Sequence, residues 1–122
     1  MKTVLVVDPD AQARKDVLNA LPNIDLKTVE MKDGMEVLRY LKEDSVDLVI
    51  SEVDLPFLGG LELTKAVKKN KDFARTSVVF VTSKADPSSM IQGIKVGAKQ
   101  YFTKPIQIRD LREKLAKILG AR

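Results

Sequence analysis

An α/β fold, with a parallel sheet of five strands covered by five helices, is the class that this chain of 122 residues predicts. Two patterns predict it. Short apolar runs rich in β-branched residues alternate with segments of helical periodicity along the whole length. Such alternation forms βαβ units, whose right-handed crossovers place helices on both faces of a parallel sheet. The runs also differ in kind. Three are almost wholly apolar, as interior strands are, and two are more mixed, as edge strands are.

Each element can be read in order. Val4-Leu5-Val6-Val7 is the first strand, and from Asp10 onward Ala13, Val17 and Leu21 recur at helical spacing. Leu26 to Glu30 reads as a weaker second strand. Gly34, Val37, Leu38 and Leu41 stand at i, i+3, i+4 and i+7, one face of a second helix. Val46 to Ile50 is the third strand, with Leu63, Ala66 and Val67 marking the helix that follows. Val78-Val79-Phe80-Val81 is the fourth, followed by Met90, Ile91 and Ile94. A brief Tyr101-Phe102 strand precedes the last helix, whose apolar side carries Ile108, Leu111, Leu115 and Ile118. Interior strands one, three and four with edges two and five favour the order 2-1-3-4-5, the flavodoxin-like doubly wound arrangement. Residues 1–122 read as a single domain, either stand-alone or a piece of a longer protein.

Composition narrows the chemistry. With 44% hydrophobic residues the chain can build a core, and no run has the 18 or so apolar residues of a membrane span. A soluble, cytoplasmic protein is expected. There is no Cys and no His, which excludes disulfides, zinc fingers, thiol nucleophiles, His-based catalysis and phosphohistidine carriage. Residues 1–61 carry 12 acidic and 7 basic side chains, whereas residues 62–122 carry 5 acidic and 14 basic ones. The basic half includes Lys65, Lys68, Lys69 and Lys71, but no aromatic residues interleave with them for base stacking, so nucleic-acid binding is disfavoured.

In an open sheet of this kind ligands bind beyond the carboxyl ends of the strands, where strand order reverses. That rule selects Asp8-Pro9-Asp10, Glu52-Val53-Asp54, Thr82-Ser83-Lys84 and Lys104-Pro105. Carboxylate oxygens there suit a hard cation such as Mg²⁺, and the hydroxyl and ammonium donors suit a phosphoryl oxyanion. The loop after strand one lacks the glycines that would let backbone amides cradle a phosphate, which argues against a flavin or nucleotide enzyme.

The same residues carry a family resemblance. Val4 to Asp8, Asp47 to Glu52, Leu55 to Leu63, Val81-Thr82-Ser83 and Gly97 to Pro105 together resemble the receiver domain of two-component response regulators, over essentially the whole chain. The resemblance implies a signalling module, not an enzyme, in which a residue ending strand three accepts phosphate from a histidine kinase. It places Glu52 at that phosphoacceptor position, Thr82 at the switch hydroxyl, Lys104 at the phosphate-contacting lysine and Tyr101 at the aromatic that changes orientation on activation. It also implies a cis bond before Pro105. Partners, whether kinase or downstream target, are expected on the face made by the fourth helix, fifth strand and fifth helix. That face would include Lys95, Lys99, Tyr101, Arg109 and Arg112, which suit an acidic surface.

Two departures from the family pattern stand out. The phosphoacceptor is Glu52 rather than Asp, and the acidic pair after strand one reads Asp8-Pro9, so one metal ligand is missing. Asp8, Asp10 and Asp54 remain as oxygen donors, enough for weak Mg²⁺ or none. The extra methylene of Glu52 adds roughly 1.5 Å of reach, and about 1 Å of misplacement can cost around 100-fold in rate. The expectation is an atypical receiver in which Glu52 pairs with Lys104. The alternative is a conventional Mg²⁺-dependent receiver phosphorylated on Asp54 or Asp8.

Overall fold

A computed structural model of the protein describes residues 1–120; Ala121 and Arg122, the end of the expected domain, lie outside them. The strands β1 (Lys2–Val7), β2 (Leu26–Met31), β3 (Leu48–Ser51), β4 (Ser77–Thr82) and β5 (Gln100–Thr103) alternate with the helices α1 (Ala11–Ala20), α2 (Gly34–Glu43), α3 (Gly60–Lys69), α4 (Pro87–Lys95) and α5 (Ile108–Ile118). All neighbouring strands are parallel, in the order β2-β1-β3-β4-β5. This is the doubly wound flavodoxin-like sheet.

Strand alternation divides the core into two layers. Leu5, Val7, Val49, Val78 and Phe80 point to one face and pack with Val37 and Leu41 of α2 and Leu63 and Val67 of α3. Val4, Val6, Ile50, Val79 and Val81 point to the other and meet Val17 of α1 and Leu111 and Leu115 of α5. Residues 4–7, 48–50 and 78–81 of the three interior strands are buried on both faces, which is why these stretches are continuously apolar. Helix starts follow capping chemistry: Asp10, Asp33 and Asp86 each accept a backbone N–H of the first turn of α1, α2 and α4.

Two helices depart from the sequence expectation: Ile108, placed on the apolar side of α5 and its first residue, is 47% exposed, and α4 departs more widely. Met90, Ile91 and Ile94, expected on the buried side of α4, are 38%, 59% and 50% exposed, and Gly93 is its buried residue. Helical geometry explains the gradation. Met90, Ile94 and Ile91 stand about 60°, 100° and 160° around the axis from Gly93, at roughly 100° per residue. Their exposure rises in the same order. The helix lies on Phe80 and Tyr101 through the face of its glycine, and the apolar stripe is turned outward.

Gly60, the first residue of α3, brings the helix backbone against the end of β3. A Cβ there would stand 2.7 Å from the Glu52 carbonyl oxygen, and 2.9 Å from both the Phe80 ring and the Val53 Cα. Two of these are backbone atoms, which cannot swing aside. Gly60→Ala is expected to destabilise the domain by about 1–3 kcal/mol in urea denaturation, the usual range for overpacking. An unchanged midpoint would show that the β3–α3 segment can yield.

Candidate functional site

The hydrogen-bonding ladder runs one residue past the strands, and this places the site. The Glu52 N–H donates to the Val7 carbonyl at 2.9 Å, the Asp8 N–H to the Met31 carbonyl at 3.0 Å and the Lys104 N–H to the Thr82 carbonyl at 2.8 Å. Asp8, Glu52 and Lys104 therefore leave the same edge of the sheet. Asp8 and Glu52 are only 7% and 9% exposed, and Thr82 beside them is 1% exposed.

Lys104 Nζ donates to Asp8 Oδ2 at 2.9 Å and to Glu52 Oε1 at 3.1 Å. The other oxygens are occupied as well. Glu52 Oε2 accepts the backbone N–H groups of Val53 and Asp54, and Asp8 Oδ1 accepts that of Asp10 at 2.9 Å. Burial alone would push the Glu52 carboxyl up. The Thr82 hydroxyl, the Lys104 ammonium and the Asp54 N–H outweigh it, and hold the group below its ordinary value. Burial likewise works against the charged form of Lys104, but Asp8 and Glu52 together raise its pKa above the ordinary lysine value.

Of the residues expected to offer oxygen to a metal, Asp8 alone joins this cluster. Asp10 turns away to cap α1, accepting the Gln12 N–H at 3.0 Å. Asp54 points outward and pairs with Lys84, Nζ to Oδ1 3.3 Å. Among the described residues no three carboxylates lie close enough together to hold a metal ion. The Lys104–Pro105 bond is cis.

Arg14 was not singled out by sequence reasoning, and Lys84 was named only as part of the Thr82-Ser83-Lys84 strand end, with no role of its own. Arg14 is a buried cation: its Nη1 donates to the Asp8 carbonyl at 2.7 Å and its Nε to Glu30 Oε1 at 3.0 Å. The signal was present, since Arg14 stands three residues before Val17 on the buried stripe of α1. Lys84 links three elements. Its side chain meets Asp54, its N–H donates to Thr82 Oγ1 at 3.2 Å, and its carbonyl accepts the Tyr101 hydroxyl at 2.7 Å. A groove of about 600 Å³ opens beside the cluster between α1 and the segment after β5; Lys104 lines it, Asp8 and Glu52 do not. The carboxylates thus face an ammonium rather than open solvent.

Comparison with known proteins agrees with this architecture. Residues 4–116 match the family model described as the response regulator receiver domain. A chemotaxis protein CheY homolog of Campylobacter jejuni is 31% identical over 119 residues, covering 96% of this chain and 92% of that protein. The phosphate regulon transcriptional regulatory protein PhoB of Pseudomonas aeruginosa is 29% identical over 118 residues. That match covers 97% of this chain, which spans only about half, 52%, of PhoB. The chemotaxis response regulator CheY4 of Vibrio cholerae superimposes with a TM-score of 0.85 at 28% identity, over 97% of this chain and 98% of that one.

The two pKa directions set opposite limits on stability. Glu52 is depressed below 4.5, so its contribution is present above that value and is lost as pH falls through the folded pKa. Lys104 is raised above 10.5, so its contribution is present below that value and is lost as pH rises through the folded pKa. Urea midpoints should accordingly decline below about pH 5 in the wild type. Glu52→Gln should flatten part of that acid limb while keeping the Asp8–Lys104 pair. Superimposable acid limbs would show that Glu52 is not coupled to folding.

Proposed function

The chain belongs to the response regulator receiver domain family, and on that premise we propose that it is an atypical receiver. Its output is partner binding, reached without phosphoryl transfer to the residue that ends β3. The observation that carries this reading is the Lys104 ammonium seated between Asp8 and Glu52, at 2.9 Å and 3.1 Å.

Phosphoryl transfer depends on a positioned nucleophile and on neutralisation of charge in the transition state. Both oxygens of Glu52 are already committed, one to Lys104 and the other to two backbone N–H groups. Resemblance to the family implies Mg²⁺ at this edge of the sheet, but the residues present do not fit it. Mg²⁺ demands near-octahedral oxygen ligation. Pro9 supplies no side-chain oxygen, Asp10 caps a helix, Asp54 holds Lys84, and an ammonium bridges the remaining pair. Binding of Mg²⁺ is therefore expected to be weak, with few amide resonances shifting at low millimolar concentration in an NMR titration. Micromolar saturation would contradict this.

Receivers of this family work with histidine kinases and downstream effectors. For this chain the face of α4, β5 and α5 is the proposed docking surface. It combines the outward stripe of Ile91 and Ile94 with Lys95, Lys99 and Arg109 around it. This supports a partner with an apolar anchor and an acidic rim, rather than one held by charge alone. Arg112 contributes less than expected, because its guanidinium donates to the Asn19 carbonyl at 2.6 Å and ties α5 to α1.

Incubation with acetyl phosphate and Mg²⁺, followed by intact mass, tests the reading. The wild type should gain no phosphoryl group. Glu52→Asp combined with Pro9→Asp, which rebuilds the family pattern, should gain one. A wild-type adduct mapped to Asp54 or Asp8 would instead establish the conventional receiver.

A further inference from the structure

The lysines of α3 and of the turn after α4 form a ridge that no carboxylate answers. From Leu63 to Arg109 the chain has ten basic side chains and two acidic ones, Asp72 and Asp86. Lys84 and Lys104 are engaged by Asp54, Asp8 and Glu52. Among the described residues Lys65, Lys69, Lys95 and Lys99 form no ion pair, and all four are exposed. In α5, by contrast, Lys114 pairs with Asp110 at 2.7 Å and Lys117 with Glu113 at 3.9 Å. Lys68 joins the two helices. A Cβ on Gly97 would stand 2.8 Å from Lys68 Cγ, so the turn after α4 lies against that stem. Lys68 Nζ donates to the Thr76 carbonyl at 2.6 Å and to the Ala74 carbonyl at 3.4 Å. Burial and the charge of nearby Lys99 hold its pKa below the ordinary lysine value. At roughly 100° per residue, Lys65 and Lys69 stand about 60° and 100° around the axis from Lys68, fanning towards solvent.

Helix-end carbonyls account for part of this charge. Lys68 and Lys69 lie in the last turn of α3 and Lys95 in that of α4, where cations are favoured. Lys65 and Lys99 lie in neither. Like charges gathered without a counter-charge repel one another, and a docked anion relieves that repulsion. We propose that the ridge of Lys65, Lys69, Lys95 and Lys99 is a docking site for a short acidic segment of a partner protein, continuous at Lys95 with the apolar stripe of α4. The boundaries of the ridge favour such a segment over nucleic acid. Glu62 stands in the first turn of α3. The groove beyond the other end of that helix carries Glu43, Asp44, Asp47 and Asp72 against Lys42 and Arg75. A duplex running past the ridge would lay phosphates over these carboxylates, whereas a segment of a few residues fits between them. No aromatic side chain stands among the four lysines for bases to stack on. The inference rests on the reading of the chain as a partner-binding module, and it names the chemistry of the partner.

An NMR titration of the full chain with an octaglutamate peptide tests it. The amide signals of Lys65, Lys69, Lys95 and Lys99 should shift together and saturate. Raising salt from about 50 to about 200 mM should weaken the complex about tenfold, as screening shortens the reach of exposed charges. Lys65→Gln combined with Lys99→Gln should also weaken it about tenfold. The urea midpoint should stay unchanged, because neither side chain has an ion-pair partner within the chain. Lys15→Gln combined with Lys32→Gln removes as much charge from the acidic half of the chain and should leave the affinity as it was. No saturable shift at the lower salt, or equal loss in the two double variants, would overturn the ridge. A DNA duplex of about 20 base pairs that binds the same amides more tightly than the peptide would overturn the assignment to an acidic segment. Phosphorylation of the wild type by acetyl phosphate would remove the atypical-receiver reading and leave the peptide map intact. A silent ridge would leave the phosphorylation result as it stands.

Discussion

Lys104 reaches two carboxylates that the chain places 96 and 52 residues away, and the carboxyl edge of the sheet is organised around that one ammonium. Asp8 follows β1, Glu52 follows β3 and Lys104 follows β5. Two carboxylates at this degree of burial would repel one another and pay heavily for lost hydration unless a cation stood between them. Here the cation is part of the chain. Desolvation offsets much of the attraction in such a cluster, so the intact pairing is weak evidence of net stability. Removing Lys104 would leave two buried charges uncompensated, whereas the intact cluster holds three loops in one register.

The remaining charges at this edge follow from the same arrangement. Asp10 and Asp54 carry equal formal charge to Asp8, yet one caps a helix and the other faces solvent beside Lys84. Arg14 approaches from beneath and takes the Asp8 carbonyl, leaving the carboxylate to Lys104. Each carboxylate oxygen of Asp8 and Glu52 accepts a hydrogen bond from within the chain.

Close backbone approach is the second constraint. Gly60 lets α3 start against the end of β3, and Gly93 lets α4 settle over two aromatic rings. The turn after α4 places Gly97 at a φ of 116°, a conformation that other residues rarely adopt. Phe57 is different: it holds a φ of 68° with 88% of its surface exposed, in the loop that follows Asp54.

The element order, the parallel sheet and its strand sequence were legible in the chain, because burial on both faces forces continuous apolar strands and burial on one face forces helical periodicity. The four strand ends that hold the site were legible for the same reason, since chain order and topology together place them on one edge. What only the tertiary structure decided was direction. The spacing of Met90, Ile91 and Ile94 marked an apolar helix face but not whether it met the core, and packing at Gly93 turned it outward. Likewise Asp8, Asp10 and Asp54 all read as candidate oxygen donors, because a sequence names a carboxylate without saying what it faces. Their different fates were set by Lys104, Gln12 and Lys84, partners whose distance depends on how strands far apart in the chain are laid side by side.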